Sequence, residues 1–117
     1  MDIGHLHIYA KDVAASKAFY VENFGFTVLF DGKGFDPVLR DRSGIDFVIS
    51  PMTDKQNQGN AMHFGFRESS PEAVKAKCED ISSRMALCVP LSEEGFLTLF
   101  GVMDPDGNYV EVYHAAV

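Results

Sequence analysis

Two histidines and one glutamate in this chain have the residue types and positions expected of ligands to a divalent metal. His5 and His63 each open a segment in which apolar residues alternate with others, and Glu111 lies in a third such segment. This period of two is typical of β-strands and places Glu111 on the face opposite its valine neighbours. A buried carboxylate without a partner is too costly to persist, so Glu111 is either solvated or paired. Two imidazoles and one carboxylate would form a facial triad, which leaves open positions on a metal for substrate or water.

The first half of the chain contains the elements that must position His5. Its segment predicts a strand at 3–10, and Asp12 is a suitable N-cap for a helix that ends near Phe24, just before Gly25. Three short strands are predicted after this helix, at 26–31, 36–41 and 45–50.

The second half repeats this order after a polar, breaker-rich stretch at 51–60, which predicts a linker. A strand is predicted at 61–67, and Ser70 caps a second helix that has Pro71 at its first position. The expected buried stripe of this helix consists of Val74, Cys78, Ile81 and Met85. The remaining strands are predicted at about 87–91, 96–103 and 108–114. The chain is therefore expected to be one α+β domain, 1–117, made of two βαβββ modules at about 3–50 and 61–114.

The two halves repeat a pattern more than they repeat residues. Laying the second half on the first places His63 on His5 and the cap Ser70 on the cap Asp12. If each half forms a curved sheet with its helix on the convex side, both histidines and Glu111 point to the concave side. A single exposed histidine or glutamate is more often a surface residue than a ligand. The joint placement favours a metal site, whereas spacing alone leaves both interpretations open.

The composition excludes several classes of function. Of the 117 residues, 46% are hydrophobic and 23% are charged, as in ordinary globular proteins, and the formal charge is −7. This acidic balance argues against binding to nucleic acid or to an anionic membrane, and no apolar run approaches the roughly 20 residues of a membrane span. We expect no signal peptide, and Cys78 and Cys88 are too few for a disulfide framework. A cytoplasmic protein with reduced thiols is therefore expected.

Two stretches carry a family resemblance. The first consists of His5, Asp12, Ser16, Phe19-Tyr20 and Asn23-Phe24-Gly25-Phe26, and the second is the tail 104–111, DPDGNYVE. Together they resemble the vicinal oxygen chelate superfamily, which includes glyoxalase I, bleomycin-resistance proteins, fosfomycin-resistance enzymes and extradiol dioxygenases. The resemblance covers essentially the whole chain. It implies the fold of that superfamily, in which two βαβββ modules with mixed sheets form a curved cavity.

The resemblance implies a metal site at His5, His63 and Glu111, with Mn, Fe, Ni, Co or Zn as the divalent ion. This set is similar to that of fosfomycin-resistance enzymes and extradiol dioxygenases. Glyoxalase I has a further Glu ligand in the last strand of its first module. The corresponding stretch here, 46–50, contains no Glu, and Asp46 lies too early in the strand to take that place. Each named activity fits imperfectly, since His7 replaces a Thr of the fosfomycin-resistance enzymes and the stretch before the tail lacks the His and Tyr of the dioxygenases.

Other residues on the same strand faces are candidates for catalysis or substrate binding. The candidate catalytic residues are His7, Tyr9 and Tyr113, with a simple aromatic lining of a cavity as the alternative. The candidate substrate-binding residues are Arg67 and Tyr109. The planar guanidinium of Arg67 suits a substrate carboxylate or phosphonate, although a surface charge near a strand end fits its position equally well.

The resemblance implies a divalent-metal-dependent lyase, transferase or dioxygenase that binds vicinal oxygens of a small molecule. The alternative is a metal-free protein, similar to bleomycin-resistance proteins, that binds and sequesters a small drug or metabolite. Resemblance to single-domain members also implies a homodimer in which the first module of one chain pairs with the second module of the other. In such a dimer His5 would come from one subunit, and His63 and Glu111 from its partner.

Overall fold

Each half of the chain folds as one strand, one helix and three further strands, as the sequence predicts. A computed structural model describes residues 1–32, 34–52 and 62–116. The chain forms two units, Met1–Asn60 and Ala61–Val117, called module one and module two. Module one contains β1 (His5–Ala10), α1 (Val13–Phe24), β2 (Thr27–Phe30), β3 (Val38–Arg40) and β4 (Asp46–Pro51). Module two contains β5 (His63–Arg67), α2 (Pro71–Ser82), β6 (Val89–Glu94), β7 (Leu97–Met103) and β8 (Tyr109–Ala115).

Both helices begin at the predicted caps. The Asp12 side chain accepts a hydrogen bond from the backbone N–H of Ala15, and the Ser70 side chain accepts one from that of Ala73, each at 3.1 Å. These bonds satisfy backbone donors that have no partner within the first helical turn. Gly25 follows α1 with a φ of 67°, a left-handed conformation that few other residues adopt.

Each module forms one mixed four-stranded sheet, which confirms the predicted fold class. The strand orders are β1-β4-β3-β2 and β5-β8-β7-β6. The first and last strands of each module, β1 with β4 and β5 with β8, are parallel, and the remaining pairs are antiparallel. The last strand of each module thus lies between its first strand and a hairpin partner.

One face of each sheet packs against the helix of the same module. The largest fully buried apolar side chains of module one are Ile8, Tyr20, Leu39 and Ile49. Those of module two are Val74, Ile81, Phe100, Val102, Val110 and Val112. Burial of each such side chain contributes up to about 1.5–3 kcal/mol. Because strand residues alternate between faces, the neighbours of these core residues lie on the opposite, helix-free face, which is called the open face.

The turns before β4 and β8 have the same construction. The carboxylate of Asp41 accepts hydrogen bonds from the backbone N–H groups of Ser43 and Ile45. The carboxylate of Asp104 accepts equivalent bonds from backbone N–H groups of its own turn, including that of Asn108 at 2.8 Å. The turn predicted from the DPDG sequence is therefore present, and it leads directly into the strand that carries Glu111.

Some element ends differ from those predicted. β6 extends to Glu94 rather than ending near 91, because Glu94 pairs with Leu97 across the tight turn at Gly95. Met85 follows the end of α2 and is only half-buried, whereas the other three residues of the predicted stripe are buried. Pro51 ends β4, and residues 53–60 of the predicted linker lie outside the described ranges. Among the described residues, neither helix is long and apolar enough to cross a membrane.

Candidate functional site

Glu111 lies in the middle of β8, on the open face of module two. Its strand neighbours Val110 and Val112 are buried towards α2, at 0% and 1% exposure. The Glu111 side chain itself is 21% exposed. The period of two therefore places the carboxylate as the sequence predicts, in a position that is shielded but open to a ligand.

The imidazole of His63 faces this carboxylate from the adjacent parallel strand β5. The register pairs His63 with Tyr109 and Gly65 with Glu111. The Nε2 atom of His63 lies 3.7 Å from Oε2 of Glu111. Two donor atoms that each lie about 2.1 Å from a shared ion are about 3–4 Å apart, so this pair has a spacing suited to a divalent metal. The structure brings these two predicted ligands together within one module.

Tyr109 contacts both members of this pair. Its hydroxyl donates a hydrogen bond to Oε2 of Glu111 at 3.0 Å. Its ring meets the His63 ring edge to face, with centroids 4.3 Å apart. Burial, together with the hydrogen bond to Glu111, raises the pKa of Tyr109 to about 12. The phenol is therefore a protonated donor at neutral pH.

Two glycines flank Glu111 in the neighbouring strands. Gly65 in β5 and Gly101 in β7 both pair with Glu111 in register. The ring of Tyr109 lies over Gly101, and the ring of Tyr113 lies over Gly65. Neither glycine was predicted from the sequence to be part of the site. The available signal was their position inside strands, where glycine often marks a close approach of other atoms.

Arg67 and Tyr113 form a second contact on the open face of module two. The guanidinium carbon of Arg67 lies 5.8 Å from the centroid of the Tyr113 ring. The same guanidinium donates a long hydrogen bond, 3.4 Å, to the carbonyl of Ala115. Arg67 is exposed on this face.

In module one the position that corresponds to Glu111 is occupied by Val48. Val48 pairs with His7 of β1, as Glu111 pairs with Gly65 of β5. His5 lies exposed at the start of β1, with Asp46 as its register partner. The carboxylate of Asp46 accepts a hydrogen bond of 2.8 Å from Arg40. Module one therefore has an apolar side chain at the position where module two has the Glu111 carboxylate.

The open face of module one carries a different polar network. Nε2 of His7 lies 2.6 Å from Oγ of Ser50, and the Ser50 hydroxyl donates to the carboxylate of Asp36 at 2.5 Å. The His7 ring stacks on the Tyr9 ring, with centroids 4.8 Å apart and an interplanar angle of 19°. Ser50 is only 7% exposed, so this hydroxyl depends on both partners. Ser50 and Asp36 were not identified from the sequence, because their contact depends on strand register and carries no local signal.

Within the described part of each module, no three His, Cys, Asp or Glu side chains form a group that could hold a metal. Module two thus supplies two suitable donors, His63 and Glu111. His5 belongs to the other module, and its place in a ligand set stays a prediction.

The family is shown by a sequence model of the glyoxalase/bleomycin resistance protein/dioxygenase superfamily, which matches residues 2–112. The chain belongs to this superfamily. No curated protein matches the chain in sequence. The superfamily model spans both βαβββ modules and includes the tail through Glu111, in agreement with the resemblance noted in these segments.

Solved structures of superfamily members share the fold. Lactoylglutathione lyase from Agrobacterium tumefaciens is 19% identical, with a TM-score of 0.74 over 97% of this chain and 92% of that chain. A possible glyoxalase from Bacillus cereus is 26% identical, with a TM-score of 0.78 over 96% of this chain and 97% of that chain. TnmS3, an antibiotic-binding protein from Streptomyces sp. CB03234, is 19% identical, with a TM-score of 0.81 over 99% and 97%. These likenesses concern the fold, and the superfamily fold alone does not select one activity.

Proposed function

We propose that this superfamily member is a divalent-metal-dependent enzyme that acts on a small molecule carrying two neighbouring oxygens. The observation that carries the proposal is the pair of side chains that face each other on the open face of module two. The His63 imidazole and the Glu111 carboxylate are 3.7 Å apart, and both are accessible. An imidazole and a carboxylate suit Mn, Fe, Ni, Co and Zn alike, so the donor set is compatible with each of these ions.

The proposed ligand set is His5, His63 and Glu111. The last two are supported by their mutual geometry, and His5 by its place in the family pattern. A bound divalent metal would supply an electrophile that stabilises negative charge on the substrate oxygens. Glu111 would also offset part of the charge of the metal, and its hydrogen bond from Tyr109 would fix the direction of its oxygens.

The remaining candidates would bind and orient the substrate. Arg67 offers a cation beside the Tyr113 ring, suited to a carboxylate or phosphonate. Because the single hydroxyl proton of Ser50 is donated to Asp36, Ser50 accepts from Nε2–H of His7. The Nδ1 atom of neutral His7 is then an acceptor. A ligand that reaches module one would therefore donate a hydrogen bond, or transfer a proton, to Nδ1 of His7.

A metal-free binding protein is the second candidate, and two observations favour it. Glu111 accepts a hydrogen bond from Tyr109 and faces His63, so the carboxylate has partners without any metal. The open faces also carry the aromatic rings of Tyr9, Tyr109 and Tyr113, which suit a bound organic molecule. In this case the chain would sequester a small drug or metabolite rather than transform it.

Metal content decides between the two candidates. The full chain, purified without added metal or chelator, is assayed by elemental analysis beside the His63→Ala variant. About one divalent ion per chain that is lost in the variant supports the enzyme. No metal in either protein, even after reconstitution with Mn²⁺, Fe²⁺, Co²⁺, Ni²⁺ and Zn²⁺, contradicts the enzyme and favours the binding protein.

The homodimer with paired modules is part of the same proposal. It is supported by the resemblance to single-domain relatives. It predicts that His5 and His63 of one metal site come from different chains, so that substitutions at the two positions can complement each other. When His5→Ala and His63→Ala chains are mixed, half of the dimers should contain one chain of each kind, and one of the two sites in such a dimer has both histidines. Metal binding should therefore return to about a quarter of all sites. A protein that is a monomer by sedimentation and still binds one metal per chain would contradict this arrangement.

A further inference from the structure

The side chain of Tyr109 lies along the open face of module two instead of pointing away from the sheet. Its ring turns from β8 across the neighbouring strand β7 and lies over Gly101. A Cβ atom built on Gly101 would lie 2.3–2.7 Å from three atoms of the Tyr109 ring and hydroxyl. Contacts this short do not occur between real side chains, so only glycine at 101 permits this orientation.

This orientation brings the hydroxyl of Tyr109 to the side chain two residues further along its own strand. Gly101 and Glu111 are register partners, so the space above Gly101 is directly beside the Glu111 side chain. The hydroxyl reaches Oε2 of Glu111 at 3.0 Å. The same ring meets the His63 ring at 4.3 Å between centroids. One side chain therefore contacts the carboxylate with its polar end and the imidazole with its ring.

We propose that Tyr109, seated on Gly101, is a positioning residue that holds Glu111 and His63 facing each other for metal binding. This inference rests on the proposed function, and it differs from a role of Tyr109 in contacting substrate. Outer hydrogen bonds of this kind orient ligating side chains, and their loss typically weakens metal affinity 10- to 100-fold. Tyr109 has a matched counterpart in Tyr113, which lies on the same face on the other side of Glu111 and packs over Gly65.

The first test measures the affinity of the full chain for Co²⁺ by calorimetry. Tyr109→Phe removes only the hydroxyl and should weaken binding about tenfold. Tyr113→Phe removes a hydroxyl from the same face and should leave the affinity unchanged. Equal Co²⁺ affinity of Tyr109→Phe and the wild type, while His63→Ala abolishes binding, would overturn the inference and leave the proposed function intact.

The second test asks whether Gly101 acts through Tyr109. Gly101→Ala should displace the ring and weaken Co²⁺ binding at least as much as Tyr109→Phe. In a Tyr109→Ala background there is no ring to displace, so Gly101→Ala should have no further effect. Additive losses in the double variant would show that Gly101 acts by another route and would overturn this part of the inference. If Gly101→Ala does not fold, the isosteric Tyr109→Phe variant still decides the role of the hydroxyl.

A third measurement is independent of metal. In the presence of a chelator, the ring-proton resonances of His63 should be shifted by the adjacent Tyr109 ring. The shift should persist in Tyr109→Phe and Tyr113→Phe, which keep both rings, and should collapse in Gly101→Ala. A wild-type chain that binds no Co²⁺ would refute the proposed function. In that case an unchanged His63 shift in Gly101→Ala would also refute the positioning, whereas its collapse would support it.

Discussion

The two modules share a backbone arrangement and differ at the row of residues that crosses the middle of each open face. In module two this row, read across β5, β8 and β7, consists of Gly65, Glu111 and Gly101. In module one the corresponding row, read across β1, β4 and β3, consists of His7, Val48 and Val38. A carboxylate between two glycines in one module thus corresponds to a valine between two larger side chains in the other.

This difference shows that the scaffold is repeated and the chemistry is not. The glycines of module two leave room for Tyr109 and Tyr113 to lie on either side of Glu111. In module one the row is filled by side chains, and the polar contacts lie two register pairs further along, where Ser50 pairs with Tyr9 on the same face. The space around the Glu111 carboxylate is therefore set by the residues in the neighbouring strands.

The largest expected effect is a loss of Co²⁺ affinity when the central residue of the module-two row is replaced by that of module one. Glu111→Val gives module two the residue that module one has at this position. We expect Co²⁺ affinity, measured by calorimetry, to fall by more than about 100-fold, because loss of a ligand should exceed the 10- to 100-fold effect of outer-shell changes. The fold should tolerate the change, since valine is compatible with a strand and removes a partly buried charge.

The matched control is Glu94→Val, which removes an exposed carboxylate from β6 of the same sheet. Its Co²⁺ affinity should equal that of the wild type. A Glu111→Val chain that is folded and retains wild-type affinity would show that Glu111 is not a ligand. The two modules would then be alike in lacking a metal-binding carboxylate.

The second prediction concerns the network that is particular to module one. Ser50→Ala removes the hydroxyl that joins His7 to Asp36. We expect the free energy of unfolding, measured by urea titration with a chelator present, to fall by about 1–2 kcal/mol, because two hydrogen bonds of a buried hydroxyl are lost. Co²⁺ affinity should change little, since none of the three residues of this network belongs to the proposed ligand set His5, His63 and Glu111.

Ser69→Ala serves as the control for this change, because Ser69 is an exposed hydroxyl in module two. It should alter the free energy of unfolding by less than about 0.5 kcal/mol. If Ser50→Ala weakened Co²⁺ binding as strongly as Tyr109→Phe, the polar network of module one would belong to the metal site. The contrast between a structural network and a ligand-positioning network would then be lost.

Local sequence signals predicted the scaffold of both modules correctly. Asp12 and Ser70 cap the helices as expected, because capping depends only on residues within one turn. Alternation placed Glu111 and His63 on the open face, because the faces of a strand follow from a period of two. These features required no knowledge of which strands pair.

The contacts within the site could not be derived in the same way. The sequence placed Tyr109 on the face of Glu111, but the hydrogen bond between them depends on the ring lying over Gly101 in another strand. The contact of Ser50 with Asp36 likewise depends on how β4 lies beside the segment before β3. Both cases require the strand register, which is a tertiary property. A glycine inside a strand was the one signal that pointed to such a contact.

The third prediction compares the two helix caps, which occupy equivalent places in the repeat. Asp12→Ala should lower the free energy of unfolding by about 1 kcal/mol, because α1 has no acidic residue in its first turn to replace the lost charge. Ser70→Ala should cost less, about 0.5 kcal/mol, because α2 retains Glu72 in its first turn and Pro71 at its start. Urea titration of both variants measures the difference.

The conservative variants Asp12→Asn and Ser70→Thr keep a capping oxygen and should remain within about 0.5 kcal/mol of the wild type. A larger loss for Ser70→Ala than for Asp12→Ala would mean that the charges near the helix starts do not distinguish the modules. The scaffold difference would then lie in packing.

The last prediction is a change of stability with alkaline pH that arises from Tyr109 of module two. Burial and the hydrogen bond to Glu111 raise the pKa of Tyr109 from 10.0 to about 12. A group whose pKa is raised on folding contributes stability that is complete below its unfolded pKa and is lost as the pH rises through its folded pKa. With a chelator present, the wild type should therefore be more stable than Tyr109→Phe at pH 9, and the difference should shrink between about pH 10 and pH 12.

Tyr113→Phe retains Tyr109 and should show the same steep decline as the wild type. A wild-type curve that ran parallel to that of Tyr109→Phe over this range would mean that the phenol and the carboxylate are not hydrogen-bonded in solution. Glu111 would then lack the hydrogen bond from Tyr109 that orients its carboxylate.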